Sequence, residues 1–226
     1  MVELVMEYDF QWHLITRNWQ PILEGLLMTY YIAVVAMLLA LVLGLVLALM
    51  RLAKQRFVSG IAQVYIEFGR AMPLYVFLLW IYFGIAFALD IIFQPVEAAI
   101  LALGLITAAY MAEIYRAGIM AIDQGQFEAS RALGLTIPQV YRDVVLPQAF
   151  RIVLPATGNQ FVGVLKGAAI AAVIGVADLM FFAREASLQY FTYFEFYTTA
   201  GLLLIGSTVA FAGLVALAER KMRWGG

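Results

Sequence analysis

The chain has 226 residues, of which 65% are hydrophobic and only 13% are charged, and its mean hydropathy is +0.91. Soluble domains are nearer half apolar and a quarter charged. A water-soluble core of this size could not bury so much apolar surface, so lipid must solvate part of it. The formal net charge of −1 lacks the basic excess expected for a nucleic-acid partner. With no cysteine and a single histidine, the composition predicts no metal site.

Apolar segments recur along the chain, and each is long enough to cross a bilayer, for which a helix needs about 20 residues. We therefore predict an all-α integral membrane protein with about five transmembrane helices in a single domain over residues 1–226. Pro73 interrupts the second segment, and polar residues interrupt the fourth. The predicted spans are 22–50, 57–89, 95–119, 152–182 and 196–218, and the long polar interval between the third and the fourth is 123–151.

Lysine and arginine are distributed unequally between the two sides of these spans. They follow the first span, occupy the polar interval 123–151 and follow the last span, whereas the opposite side is mostly acidic. Cytoplasmic loops carry the excess of Lys and Arg in membrane proteins. An odd number of spans then predicts that the N-terminus lies outside and the C-terminus inside.

The polar interval has the pattern of two short helices joined by a turn. Residues 127–133 are good helix formers, and Gly134 follows where a helix would end. Thr136 is a suitable N-cap for a second helix that has Pro138 in its first turn. On these features alone, the interval could be a structured loop that only links two spans.

The spacing within the interval resembles the EAA loop of ABC importer permeases, which reads E-A-A, three residues, G, nine residues and I-x-L-P. Glu128-Ala129-Ser130 is followed by Gly134 and by Val144-Val145-Leu146-Pro147 at the same spacing. In that family the short helix docks on a cytoplasmic ATPase subunit, so the resemblance implies a cytoplasmic coupling helix here. The implied coupling residues are Glu128, Ala129, Ser130, Arg131 and Gly134.

The flanking segments are similar to those of permeases for polar amino acids such as histidine, glutamine and arginine. Residues 109–119 resemble the pattern A-Y-x-A-E-I-x-R-G-G-I, and residues 67–74 resemble E-x-F-R-G-T-P-L. Residues 146–149 and 158–161 match L-P-Q-A and G-N-x-F. The resemblance implies the membrane-spanning subunit of an ATP-binding-cassette importer that moves a polar amino acid or a related small solute into the cytoplasm.

One short segment departs from the family pattern. After Lys166 the family usually has a polar triplet, whereas this chain has Gly167-Ala168-Ala169. Three hydrogen-bonding groups are thus lost beside the expected conducting path. The departure predicts either a substrate with a less polar portion or contacts that the partner subunit supplies.

Ionisable residues within the spans are candidates for a substrate path, because a charge at membrane depth usually faces protein or water. Glu67 and Arg70 are three residues apart and could pair on one helix face, and Glu113 and Arg116 repeat that spacing. These pairs either orient broken helices or line a path polar enough for a zwitterion. The candidate path residues are Arg70, Glu113, Asn159, Gln160 and Lys166.

The sequence lacks the G-x-x-x-x-G-K-[ST] pattern and any Ser/His/Asp set, so we expect no enzymatic activity and no cofactor on this chain. The family resemblance implies a bacterial inner-membrane assembly with ATP and Mg²⁺ on the ATPase. Its other members would be a second permease subunit, identical or paralogous, two cytoplasmic ATPase subunits and an extracytoplasmic solute-binding protein. The alternative is a stand-alone channel or ion-coupled transporter, which would work without the EAA-like loop.

Overall fold

The computed structural model describes residues 9–223, which are helical over most of their length and contain no β-strand. The domain predicted over 1–226 extends beyond these residues at both ends. Helices suit a membrane because they satisfy their own backbone hydrogen bonds. In chain order they are α1 (His13–Arg17), α2 (Trp19–Arg51), α3 (Arg56–Ala71), α4 (Leu74–Leu89), α5 (Pro95–Met120), α6 (Gln124–Ala132), α7 (Ile137–Ile174), α8 (Leu179–Tyr190) and α9 (Tyr193–Arg223).

Helices α2, α5 and α7 and the segment Tyr193–Leu217 of α9 are each long and apolar enough to cross a membrane. Helices α3 and α4 meet the same criteria only as a pair, with a bend of 107° between them. The bend falls at Pro73, which lacks the N–H that would continue the helix and keeps Met72 extended. The prediction of an all-α membrane protein with about five spans is confirmed.

The fourth span differs from its predicted bounds of 152–182. Helix α7 already begins at Ile137, because a wider π turn at Tyr141–Val145 precedes Pro147 and accommodates it without a break. At the other end Gly175 has φ +85°, a left-handed conformation that terminates the helix at Ile174. Residues 179–182 therefore belong to α8. Residues 137–151, which fall within the predicted polar interval 123–151, belong to α7.

Helix α5 lies at the centre of the bundle and contacts α2, α3 and α7 through small residues. A Cβ atom at Gly44 of α2 would lie 2.6 Å from the Cβ of Met111, and one at Gly104 would lie 3.2 Å from the carbonyl oxygen of Ala36. Glycine at these two positions lets the backbones of α2 and α5 approach closely, as is common between membrane helices.

The turn between α7 and α8 is attached to the beginning of α2 by buried polar groups. Asp178 caps α8, with its Oδ1 accepting a hydrogen bond of 2.8 Å from the N–H of Phe181. The N–H of Leu179 donates to Oγ1 of Thr29 at 3.2 Å. Asp178 is fully buried, and its Oδ2 has no hydrogen-bond partner in the described part of the chain.

The carboxyl of Asp178 is expected to make stability depend on pH. This residue follows the end of the span at Ile174, and burial raises its pKa from 3.8 to about 6. The folded state therefore holds the proton more tightly than the unfolded state, so stability falls as pH rises from about 4 through 6. Asn is an equally good N-cap and does not ionise. We expect Asp178→Asn to raise the unfolding temperature of the purified protein by several degrees at pH 8 and to have little effect at pH 5.

Thermal unfolding of both proteins across this pH range checks the prediction. A stability difference that stays constant from pH 5 to 8 would contradict it. Asp90→Asn, at an exposed residue of another turn, is the control for general surface charge.

Candidate functional site: a coupling segment and a polar face

The interval predicted as the coupling loop, residues 123–151, contains the short helix α6 and a glycine turn, but its second predicted short helix is the beginning of the long helix α7. Within this interval, we call residues 123–140 the coupling segment. Asp123 caps α6, with Oδ1 accepting a hydrogen bond of 2.6 Å from the N–H of Gly125. Gly134 follows α6 with φ +86°, a conformation that costs glycine little. Thr136 and Gln139 then form a capping box at the start of α7.

The exposed surface of α6 differs in part from the predicted coupling residues. Glu128 and Ala129 are exposed, but Ser130 is buried and its hydroxyl donates to the carbonyl oxygen of Gln126 at 2.6 Å. Ser130 therefore belongs to the inner side of the helix and is not available for docking. Arg131 donates to the carbonyl oxygen of Leu135 at 2.8 Å and so holds the glycine turn.

Leu133 is a feature of this surface that the sequence analysis did not single out. It follows the last residue of α6 and is 82% exposed. Its place one residue before the predicted glycine turn is the signal that could have identified it. Together with Glu128 and Ala129, it gives the exposed surface an apolar contact next to a charge.

The inner side of α6 is attached to both α5 and α7. The Phe127 ring packs edge-on against Tyr141 of the π turn, with ring centroids 6.2 Å apart. Ile119 and Ile122, at and just beyond the end of α5, line a cavity of about 240 Å³ with these rings and Glu128. Helix α6 is therefore joined to α7 by this ring contact and to α5 by the short connection 121–123.

Helix α5 has an open side between its contacts with α3 and α7. A Cβ at Gly69 of α3 would lie 2.7 Å from the Cβ of Ala109, and Gly118 packs against Val153 of α7. At 100° per residue, Tyr110 falls between these two contact directions, and it is exposed. The open side lies away from α2, which also contacts α5 at Ala108, about 160° around the helix from Tyr110.

Polar residues from three helices line this open side, which we call the polar face. On α3, Gln63, Glu67 and Arg70 form one exposed stripe, opposite an exposed apolar stripe that includes Val64 and Phe68. The guanidinium of Arg70 lies 6.0 Å from the centroid of the Tyr110 ring, so the α3 stripe and Tyr110 face the same side. The residues of the polar face are Gln63, Glu67, Arg70, Tyr110, Glu113, Asn159 and Lys166.

The charges on the polar face are only partly paired. Glu113 and Arg116 form the predicted ion pair, with Oε2 and Nη2 2.8 Å apart. The Glu67–Arg70 pair is absent from the described residues, because Glu67 accepts a hydrogen bond of 2.7 Å from Gln63 and Arg70 lies over Tyr110. These two charges are exposed and available to another molecule.

On α7, the candidate path residues lie on two different faces. Asn159 and Lys166 are seven residues apart and both exposed, so they share the face directed to the open side. Gln160 is half-buried and lies seven residues after Val153, on the side that packs against α5. The structure thus brings Arg70, Glu113, Asn159 and Lys166 to the polar face and leaves Gln160 at its border.

The polar face has two further members that the sequence analysis did not name. The spacing 63, 67 and 70 could have indicated Gln63, and the position of Tyr110 three residues before Glu113 could have indicated Tyr110.

The Gly167-Ala168-Ala169 triplet lies at a helix contact. A Cβ at Gly167 would lie 3.0 Å from Cδ1 of Leu103 and 3.2 Å from Cδ2 of Leu74, and Ala168 is buried. Leu74 is the first residue after the Pro73 bend, so the triplet lets α7 approach both α5 and α4. Its small side chains are explained by this packing, which favours neither of the two interpretations offered for the departure.

Comparison with known proteins gives consistent matches over nearly the whole chain. Residues 40–224 match the family described as binding-protein-dependent transport system inner membrane component. The arginine transport system permease protein ArtQ of Bacillus subtilis (strain 168) is 39% identical over 89% of this chain and 92% of its own length. The probable amino-acid permease protein YxeN of the same organism is 35% identical over 93% and 95%. A crystal structure of an amino acid ABC transporter with histidines superposes with a TM-score of 0.91 at 36% identity, covering 95% of this chain and 100% of that chain.

The turn at Gly134 provides a test of the coupling segment's local structure. A β-branched residue in the left-handed region costs about 1–2 kcal/mol or more, so Gly134→Val should loosen the contact between α6 and α7. We expect faster amide hydrogen exchange in residues 124–140 of this variant. Gly134→Asn is the matched control, because asparagine tolerates this conformation. Equal exchange in the two variants would contradict the assigned role of the turn.

Proposed function

We propose, because the chain belongs to the family of binding-protein-dependent transport system inner membrane components, that it is the membrane-spanning subunit of an ATP-binding-cassette importer for a polar amino acid or a related small solute. It is a multi-pass component of the inner membrane. The observation that carries the proposal is that the exposed coupling segment is joined to α5 and α7, two of the helices that bear the polar face. Helix α5 bears Tyr110 and Glu113 and ends beside α6, and α7 bears Asn159 and Lys166 and packs on Phe127 through its π turn.

The coupling segment is proposed to receive the motion that ATP hydrolysis produces on two cytoplasmic ATPase subunits, where ATP and Mg²⁺ would be bound. The exposed side of α6 offers Glu128 for a cation and Leu133 for an apolar pocket on the ATPase. Closure of the two ATPases would displace α6. Because Phe127 packs on α7 and the short connection 121–123 joins α6 to α5, the displacement would reach the helices that bear the polar face.

The polar face is proposed to be half of the solute path. Exposed charges at membrane depth are stable only against water or protein, and Glu67, Arg70 and Lys166 have no ion-pair partner within residues 9–223. A second permease subunit, identical or paralogous, placed against this face would enclose a water-filled path. The cations Arg70 and Lys166 suit a solute carboxylate, and Glu67 suits an ammonium group. This combination fits a zwitterion, in agreement with the amino acids that the relatives' names specify.

The proposed orientation in the membrane follows from the position of the coupling segment. With α6 in the cytoplasm, α2 begins on the outer side and α9 ends on the inner side. An extracytoplasmic solute-binding protein would deliver the solute at the outer end. A stand-alone channel or ion-coupled transporter is not favoured, because the family is one of binding-protein-dependent systems.

Glu128→Lys tests the coupling role. Like charges placed together at an interface cost several kcal/mol, so we expect uptake into proteoliposomes containing the assembled transporter to fall by about tenfold or more. The assembly should remain intact, because Glu128 is exposed and outside the core. Glu185→Lys is the matched control, since Glu185 is an exposed residue of α8, at the other end of the bundle. Uptake at the original rate in Glu128→Lys would remove the docking role.

Lys166→Ala tests the path role. A hydrogen bond to a charged group contributes about 1.5–3 kcal/mol, so we expect the uptake rate at saturating binding protein to fall by about tenfold. Lys166→Arg should retain most of the activity, and Lys54→Ala, at an exposed lysine outside the spans, should be unchanged. An unaltered rate in Lys166→Ala would assign this residue to structure alone. Uptake by the purified chain without an ATPase would overturn the importer proposal as a whole.

A further inference from the structure

An apolar cavity of about 390 Å³ lies between α2, α7 and α9, on a different side of α7 from the polar face. Leu41 contributes from α2, Pro155 and Phe161 from α7, and Phe211 and Val215 from α9. The residues that line it include no charged side chain. A water molecule needs polar partners to occupy such a space, so the cavity favours an apolar occupant.

Helix α9 packs on α7, and the cavity opens beside these contacts. Phe161 and Phe211 have ring centroids 4.5 Å apart, and Gly158 packs closely against Val215. At the rim, Leu154 is 36% exposed and Leu214 is 63% exposed. The opening therefore has apolar edges, and it lies within helices that cross the membrane. The side chains that line an unfilled cavity lack dispersion contacts on one side, and the acyl chain of a lipid would supply them.

One cation, Arg151, lies toward the end of this cavity that is nearer the coupling segment. Arg151 is seven residues before Gly158, so it shares that face of α7 at a distance of about 10 Å along the helix axis. Arg220 lies five residues after Val215, about 140° around α9, and so faces away from the cavity. The Arg151 side chain is exposed and forms no hydrogen bond or ion pair with the side chains that the structure describes.

We propose that an anionic phospholipid binds here, with one acyl chain in the cavity between α2, α7 and α9 and its phosphate at Arg151. A cationic side chain beside an apolar opening attracts a negatively charged headgroup. A zwitterionic headgroup gains less, because its ammonium group is repelled by the same arginine. The lipid fills the space between α9 and α2, beside the contact of α9 with α7. This proposal does not depend on which solute is transported.

Native mass spectrometry of the assembled transporter after delipidation tests the proposal, with dioleoyl phosphatidylglycerol and dioleoyl phosphatidylcholine as probes. We expect phosphatidylglycerol to be retained in preference to phosphatidylcholine. One arginine near a lipid surface contributes an affinity factor of about five, so Arg151→Gln should reduce the preference by about fivefold. Arg184→Gln, at an exposed arginine of α8, is the matched control and should leave the preference unchanged.

Leu154→Trp separates the acyl-chain site from the headgroup site. The larger side chain at the rim should occlude the cavity and lower the retention of both lipids, with the assembly intact. Equal retention of the two lipids by the unaltered protein would overturn the proposal. So would a preference that survives Arg151→Gln, or a cavity filled by a helix of the second subunit with no lipid retained.

Discussion

The close approach of α5 to its neighbours is the constraint on which the rest of the structure depends. A membrane offers helices no hydrophobic driving force for association, so they hold together through packing of small residues. Gly44, Gly104, Gly69 and Gly118 lie at the contacts of α5 with α2, α3 and α7, and a side chain at any of them would meet another helix. These contacts fix the rotation of each helix around α5. The rotation in turn decides which side chains reach the polar face and which reach lipid.

The contacts of α5 also explain how polar residues are tolerated within a membrane bundle. Helix α3 has a buried stripe of small residues against α5, a polar stripe on one side of it and an apolar stripe on the other. Only one rotation of α3 about its axis directs its polar stripe toward the polar face, where Tyr110 lies, and its apolar stripe away from that face. Gly69 selects this rotation, because the backbone of α3 lies closest to Ala109 there.

Much of this arrangement could be predicted from the sequence, because hydropathy and motif spacing are local properties. The helical class, the Pro73 bend, the short helix α6 and the Gly134 turn all follow from such local patterns. The errors have tertiary causes. The bounds of the fourth span shifted because a π turn accommodates Pro147. Glu67 does not pair with Arg70 because Gln63 and Tyr110 offer competing contacts. Ser130 turns inward because α6 packs on α7, which the spacing of the EAA-like residues cannot reveal.

The separation of α3 from the coupling segment has a consequence for how proteins of this architecture can change. Helix α3 supplies Gln63, Glu67 and Arg70 to the polar face, yet it ends beside Ala109 and contributes no residue to the cavity behind α6. Under the proposed function, substitutions on its polar stripe would alter which solute is recognised without disturbing the contact with the ATPase. Helices α5 and α7, to which both roles are proposed, would have less freedom. New substrate preferences would be expected to arise on α3 first, while the machinery that uses ATP stays the same.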